Sequence, residues 1–175
     1  MTNEWNARSL DTQRFTESEG SATFHHGLQT LTRVQEVCDN APTQSTEPVC
    51  EWTLSGQVRG SGPRQQSWMQ LEAVVTLPQR CQRCLEPLAV EVKVDRWFRF
   101  VADEATALAE DDESEEDLLV SSVELNAIEL LEDELLLAMP LIVSHGDCQP
   151  PASQALKDDL PHPFAALAGL KLPKS

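Results

Sequence analysis

Positive charge is scarce in this sequence of 175 residues: 13 lysines and arginines stand against 29 aspartates and glutamates, a formal net charge of −16. Affinity for nucleic acid comes mainly from basic side chains that displace counterions from phosphates, so this balance argues against general RNA binding and for a basic protein partner. Long apolar runs are missing as well. The opening MTNEWNARSLDT lacks the apolar core of a signal peptide, and no run approaches the roughly 18 residues that span a bilayer; the expected location is the cytoplasm, with no membrane partner. No glycine-rich phosphate loop, internal repeat or catalytic set stands out. His25 and His26 are neighbours that would point apart, and His162 lies between two prolines, so neither an enzyme nor a small-molecule substrate is expected. The five cysteines are odd in number. In a reducing compartment they read as metal ligands, buried small hydrophobes or redox groups before structural disulfides.

What is present is enough apolar material, 41% of residues, for one core and one domain over 1–175. Residues 1–17 are expected to be loosely ordered, and 18–26 hold a short strand around Thr23 and Phe24. Leu28, Leu31, Val34 and Val37 then recur at helical spacing, predicting a helix over 28–38 with Cys38 at its end. The segment 40–48, with two prolines, is a loop. In VCEWTLSGQVRG the residues Cys50, Trp52, Leu54 and Val58 alternate with polar ones, predicting a half-buried strand. A second strand carries Met69, Leu71, Ala73, Val75 and Leu77 inward and ends at Pro78. A third begins at Leu88, with Val90, Val92, Val94, Phe98 and Phe100 on one face and only Arg96 breaking the series. Three successive strands with short connections give an antiparallel β meander, and the expected class is α+β, the meander packed against a few helices.

The run 103–117 holds nine acids and no base, so it is expected to be an extended, mobile loop. Asn126 then caps a helix that Pro140 stops, with Glu129 placed to complete a capping box. Ile128, Leu131, Leu135 and Ala138 form its inward stripe, and Glu129, Glu132, Asp133 and Glu134 face elsewhere. Leu130, Leu136 and Leu137 widen the apolar arc, leaving room for a second neighbour. A C-terminal apolar helix is expected after Pro163, with Phe164, Leu167 and Leu170 spaced by three.

Two short motifs carry chemistry. Cys81 and Cys84 form a CxxC between the second and third strands, and His145 and Cys148 repeat the gap after the later helix. Zinc takes four such ligands at tetrahedral corners, so the set Cys81, Cys84, His145 and Cys148 is a candidate closed, structural zinc site. Two alternatives stand beside it: plain turn residues, or a redox pair. The redox reading lacks the helix N-terminus that lowers a thiol pKa, since Pro87 and a strand follow the motif. Cys38 and Cys50 fall on apolar faces and read as core. In the second motif Arg80, Arg83, Lys93, Arg96 and Arg99 interleave with Trp97, Phe98 and Phe100, a candidate strip for local RNA contact by stacking and phosphate pairing. Its plainer reading is a core strand with Phe98 and Phe100 inward and Trp97 and Arg99 sharing the outer face.

The ordered series CQRCLEPL, an acidic gap, LLEDELLLAMPLIVSHGDC and PHPFAALAGLK resembles the YceD family, the large ribosomal RNA subunit accumulation proteins; QRFTESEG and LTRVQEV precede it in the expected order. Cys81, Arg83, Cys84, Pro87, Glu134, Pro140, His145, Cys148, Pro163, Phe164 and Leu167 match the pattern, and His162 departs from it where asparagine is usual. The resemblance implies a role in synthesis, processing or stability of large-subunit (23S) ribosomal RNA, with no established enzymatic activity. Family genes often neighbour that of a small basic ribosomal protein, which suits an acidic chain. The expected partner is therefore a basic ribosomal protein or large-subunit assembly factor, with at most local RNA contact through Arg80, Arg83, Trp97 and Arg99. Phe164 and Leu167 are expected to anchor to the chain's own core or to that partner.

Overall fold

A computed structural model describes residues 5–38, 48–62 and 65–150. The elements follow in the order α1 (Thr12–Glu17), β1 (Ser21–Gly27), a 3-10 turn at Leu28–Thr30, α2 (Thr32–Val37), β2 (Val49–Arg59), β3 (Gln66–Arg80), β4 (Pro87–Val101), α3 (Glu104–Glu110), β5 (Asp117–Val120) and α4 (Ala127–Ala138). They form one five-stranded sheet in sequential order, with β1 to β4 antiparallel and β5 parallel to β4. The expected α+β meander is present. It gains a parallel edge strand too short to show an alternation in the sequence.

Alternation sorts the sheet into two faces. Cys50, Trp52 and Leu54 of β2, Met69, Leu71, Ala73, Val75 and Leu77 of β3, and Val92, Val94, Phe98 and Phe100 of β4 are all buried in one core, joined by Ile128, Leu131 and Leu135 of α4. Asn126 caps α4 by accepting from the Ile128 N–H at 3.3 Å, while Glu129 accepts at 2.8 Å from the Asn126 side-chain Nδ2 and not from the backbone N–H of the expected capping box. Met139 leaves helical angles before Pro140, as expected. Ala138, placed in the inward stripe from sequence, lies exposed.

Several expectations are corrected. Residues 5–17 are not loose. The Leu10 and Leu125 backbones exchange two hydrogen bonds of 2.9 Å, and the Ala127 N–H donates to the Ala7 carbonyl at 2.8 Å. Phe15 of α1 is wholly buried, edge-on to Trp5. One phenylalanine in a polar stretch gives no period to read. The acidic 103–117 run is not simply extended. Asp103 caps α3 by accepting from the Thr106 N–H at 2.8 Å, and Asp117 opens β5. The predicted 28–38 helix divides into the 3-10 turn and α2, with Val37 exposed.

Glu132 and Glu134, read as facing away, are buried. No side chain at Leu31 caps α2, and Glu132 takes that role from a distance, accepting from the Arg33 N–H at 2.8 Å. Glu134 lies 3.4 Å from Arg96 Nε, and Arg96 also pairs with Asp117. Arg96 breaks the inward series of β4 because it binds carboxylates from α4 and β5 together.

Candidate metal centre at the hairpin tip

The β3–β4 ladder runs from Ser67 opposite Phe100 to Arg80 opposite Pro87, whereas β2 pairs with β3 only up to Val74. Residues 75–80 and 87–92 therefore extend past β2 as a two-stranded ribbon. Pro78 is tolerated there because β3 has a ladder partner on one side only. A two-stranded ribbon is marginal by itself. Its tip is tied to the segment that follows α4: the Gln82 N–H donates to the Val143 carbonyl at 2.8 Å, Gln82 Nε2 to the Leu141 carbonyl at 3.1 Å, and Arg83 Nη1 to the Cys148 carbonyl at 3.3 Å.

Within this junction all four residues named from sequence converge. The ligand atoms of Cys81, Cys84, His145 and Cys148 lie within 4.8 Å of one another. Cys81 Sγ is 3.6 Å from Cys148 Sγ, and Cys84 Sγ is 3.3 Å from His145 Nδ1. A tetrahedron with metal–sulfur arms of about 2.3 Å has edges of about 3.8 Å, so these separations suit a single ion. Cys81 is fully buried, and Cys84, His145 and Cys148 are partly so.

Local backbone geometry creates the clip. The Cys81 N–H donates to the Glu86 carbonyl and the Leu85 N–H to the Cys81 carbonyl, each at 2.9 Å, closing a tight turn. The turn requires Leu85 at φ +64°, a left-handed conformation that glycine would adopt without strain. It aims the N–H of Cys84 at Cys81 Sγ at 3.5 Å, and the N–H of His145 arrives from the other segment at 3.4 Å. The Cys84 N–H and then that of His145 hold the Cys81 thiol down to about 5, in favour of the thiolate. The Cys148 thiol is pushed up to about 11, first by burial and then by Cys81 and Cys84 beside it. The cluster accommodates one negative sulfur readily and resists more until a cation arrives. Three sulfurs and one imidazole nitrogen, with N–H donors already on one thiolate, form a donor set that fits a thiophilic metal.

Residues 68–171, more than half of the chain, match the family described as large ribosomal RNA subunit accumulation protein YceD. The chain belongs to the YceD family. Membership implies involvement in accumulation of the large ribosomal RNA subunit, and the family description names a role rather than a chemical reaction. No solved structure matches this YceD-family chain. Among its described residues no helix is long and apolar enough to cross a membrane.

The candidate RNA strip is arranged differently from the sequence reading. Arg99, expected outward beside Trp97, is buried and paired with Glu110 of α3 at 2.7 Å, so α3 closes over that part of the sheet. Trp97 is partly buried, and Arg59, which the sequence reading left out, stacks between Trp68 and Trp97 with its guanidinium carbon 4.1 and 4.4 Å from the ring centroids. The β2–β3 register sets Arg59 opposite Gln66 and so diagonal to Trp68 on the same face, which a single strand's pattern cannot reveal. Arg80 and Arg83 are exposed at the ribbon tip. Phe164 and Leu167, with the expected C-terminal helix, lie outside the described residues, as does the 40–48 loop apart from Pro48. Cys38 and Cys50 are buried as expected, and burial pushes the Cys50 thiol up to about 12.

Proposed function

We propose that this protein is a non-enzymatic, cytoplasmic factor that supports synthesis, processing or stability of large-subunit (23S) ribosomal RNA by binding a basic ribosomal protein or assembly factor. The observation that carries the reading is the family match over residues 68–171, taken with a formal net charge of −16. A surface of that sign repels phosphates and attracts cationic protein tails. Two placements add support: Arg99 is occupied by Glu110, and Trp97 by Arg59, so both are engaged within the chain. Direct RNA contact is then local, at the ribbon tip where Arg80 and Arg83 are exposed.

The metal in this reading is zinc, held by Cys81, Cys84, His145 and Cys148. When bound, it supplies a closed structural link and no open coordination position. The chain's own residues set the link: the Cys84 and His145 N–H groups orient Cys81, and Arg83 fixes the Cys148 carbonyl. The arrangement holds the ribbon tip and the post-α4 segment in one geometry.

A sucrose-gradient experiment tests the function. The protein is expected to co-sediment with precursor large subunits at low salt and to leave them as ionic strength rises. Absence from every ribosomal fraction, together with unchanged rRNA levels on deletion, would refute it.

A further inference from the structure

Leu137, Leu141 and Ile142 lie within six consecutive residues and are 78%, 95% and 76% exposed. Exposed Leu108 and Val123 stand singly, as surface apolar residues commonly do, but this cluster is a patch on an otherwise strongly acidic protein. It continues the arc of α4 past its buried stripe, through the half-buried Leu136 and Met139.

We propose that the patch is the docking site for residues 163–172 of the same chain. This segment, PFAALAGLKL, contains no acid and places Phe164, Leu167 and Leu170 three apart. The family match runs from residue 68 through it to residue 171, so it belongs with β3, β4, β5 and α4 in one matched unit. Tether geometry favours docking in cis. The chain leaves the described residues at Pro150, two positions after Cys148, whose carbonyl Arg83 holds at the ribbon tip. The adjacent Gln82 holds the Leu141 carbonyl at that same tip. The patch and the start of the tether thus share one anchor. Twelve residues, 151–162, separate Pro150 from the segment; a coil of that length would span about 20 Å on average, and tethers this short give effective concentrations in the millimolar range. A second copy or an outside partner would have to outcompete that concentration.

The test uses the full chain with p-benzoylphenylalanine in place of Phe164. Irradiation of dilute protein is expected to give intrachain cross-links to residues 137–142, in a yield independent of protein concentration. Cross-links confined to dimers, or none to 137–142, would overturn the proposal. Hydrogen exchange on full-length Leu167→Asp provides a second readout. Amides of 137–143 should exchange at least about tenfold faster than in the parent while the β2–β3 ladder is unchanged. Equal exchange of 137–143 in both proteins would overturn it, as would acceleration only after a ribosomal partner is removed.

Discussion

Removing the proposed zinc should loosen the ribbon tip while leaving the sheet folded. Four ligands from two segments meet at the tip, but Trp52, Leu54, Leu71 and Phe98 lie in a core to which the cluster contributes nothing. A ligand that binds only the folded state stabilises it by RT ln(1 + [L]/Kd), about 4.1 kcal/mol when free metal exceeds Kd a thousandfold. For a protein of this size 1 kcal/mol moves Tm by about 2–4 °C, so chelation should lower Tm by about 8–16 °C. The protein is purified in reducing buffer without chelator, metal is counted by mass spectrometry, and calorimetry is run before and after chelation. One zinc per chain is expected, falling to well below half in Cys84→Ser and in Cys148→Ser but unchanged in Cys50→Ala. Hydrogen exchange after chelation should rise at 81–86 and 141–148 and stay slow at 52–54 and 71–73. Full zinc in the Cys84→Ser and Cys148→Ser variants would refute the reasoning. So would loss of zinc with no change in Tm.

Three further outcomes follow from local geometry. A Cβ on Gly56 would lie 2.8 Å from the Phe15 ring and 2.9 Å from its carbonyl oxygen, so Gly56→Ala should cost about 1–3 kcal/mol in urea unfolding; an unchanged midpoint would show that α1 yields freely. Leu85 is half-exposed at φ +64°, and exchanging about 1–2 kcal/mol of left-handed strain for about 0.5–1 kcal/mol of glycine entropy should make Leu85→Gly slightly more stable; a loss above 1 kcal/mol would contradict the strain argument. Burial raises the Glu134 pKa from its ordinary 4.5, opposed by Arg96 and assisted by Asp117 and Asp133. A raised carboxyl contributes stability that is fully present below about 4.5 and is lost as pH climbs through the raised value. Glu134→Gln lacks that loss, so its stability relative to the parent should improve between pH 4.5 and 7; a constant or worsening difference would count against a raised pKa.

The strands were legible because their period of two survives in the sequence: Cys50, Trp52 and Leu54, then Met69 through Leu77, are buried as alternation requires. The cysteine and histidine set was legible because its ligands come in pairs at a gap suited to tight turns, and the fold brings the two turns together. What escaped depends on partners distant in sequence. Glu132 is buried because an uncapped α2 needs an acceptor, and Glu134 because Arg96 enters the inner face. Arg99 turned from solvent to interior because Glu110, in a run that charge alone would keep extended, folds back over it. Phe15 is buried by contacts with the backbones around Gly20 and Gly56, for which no local periodicity exists.

The most direct test of an acidic factor that reaches the large subunit through protein is an affinity pull-down of the tagged chain with and without nuclease. A basic large-subunit ribosomal protein or assembly factor should remain bound after nuclease and be released by salt. Loss of every ribosomal component on nuclease treatment, with tight uptake of naked 23S RNA by the purified chain at physiological ionic strength, would contradict the account.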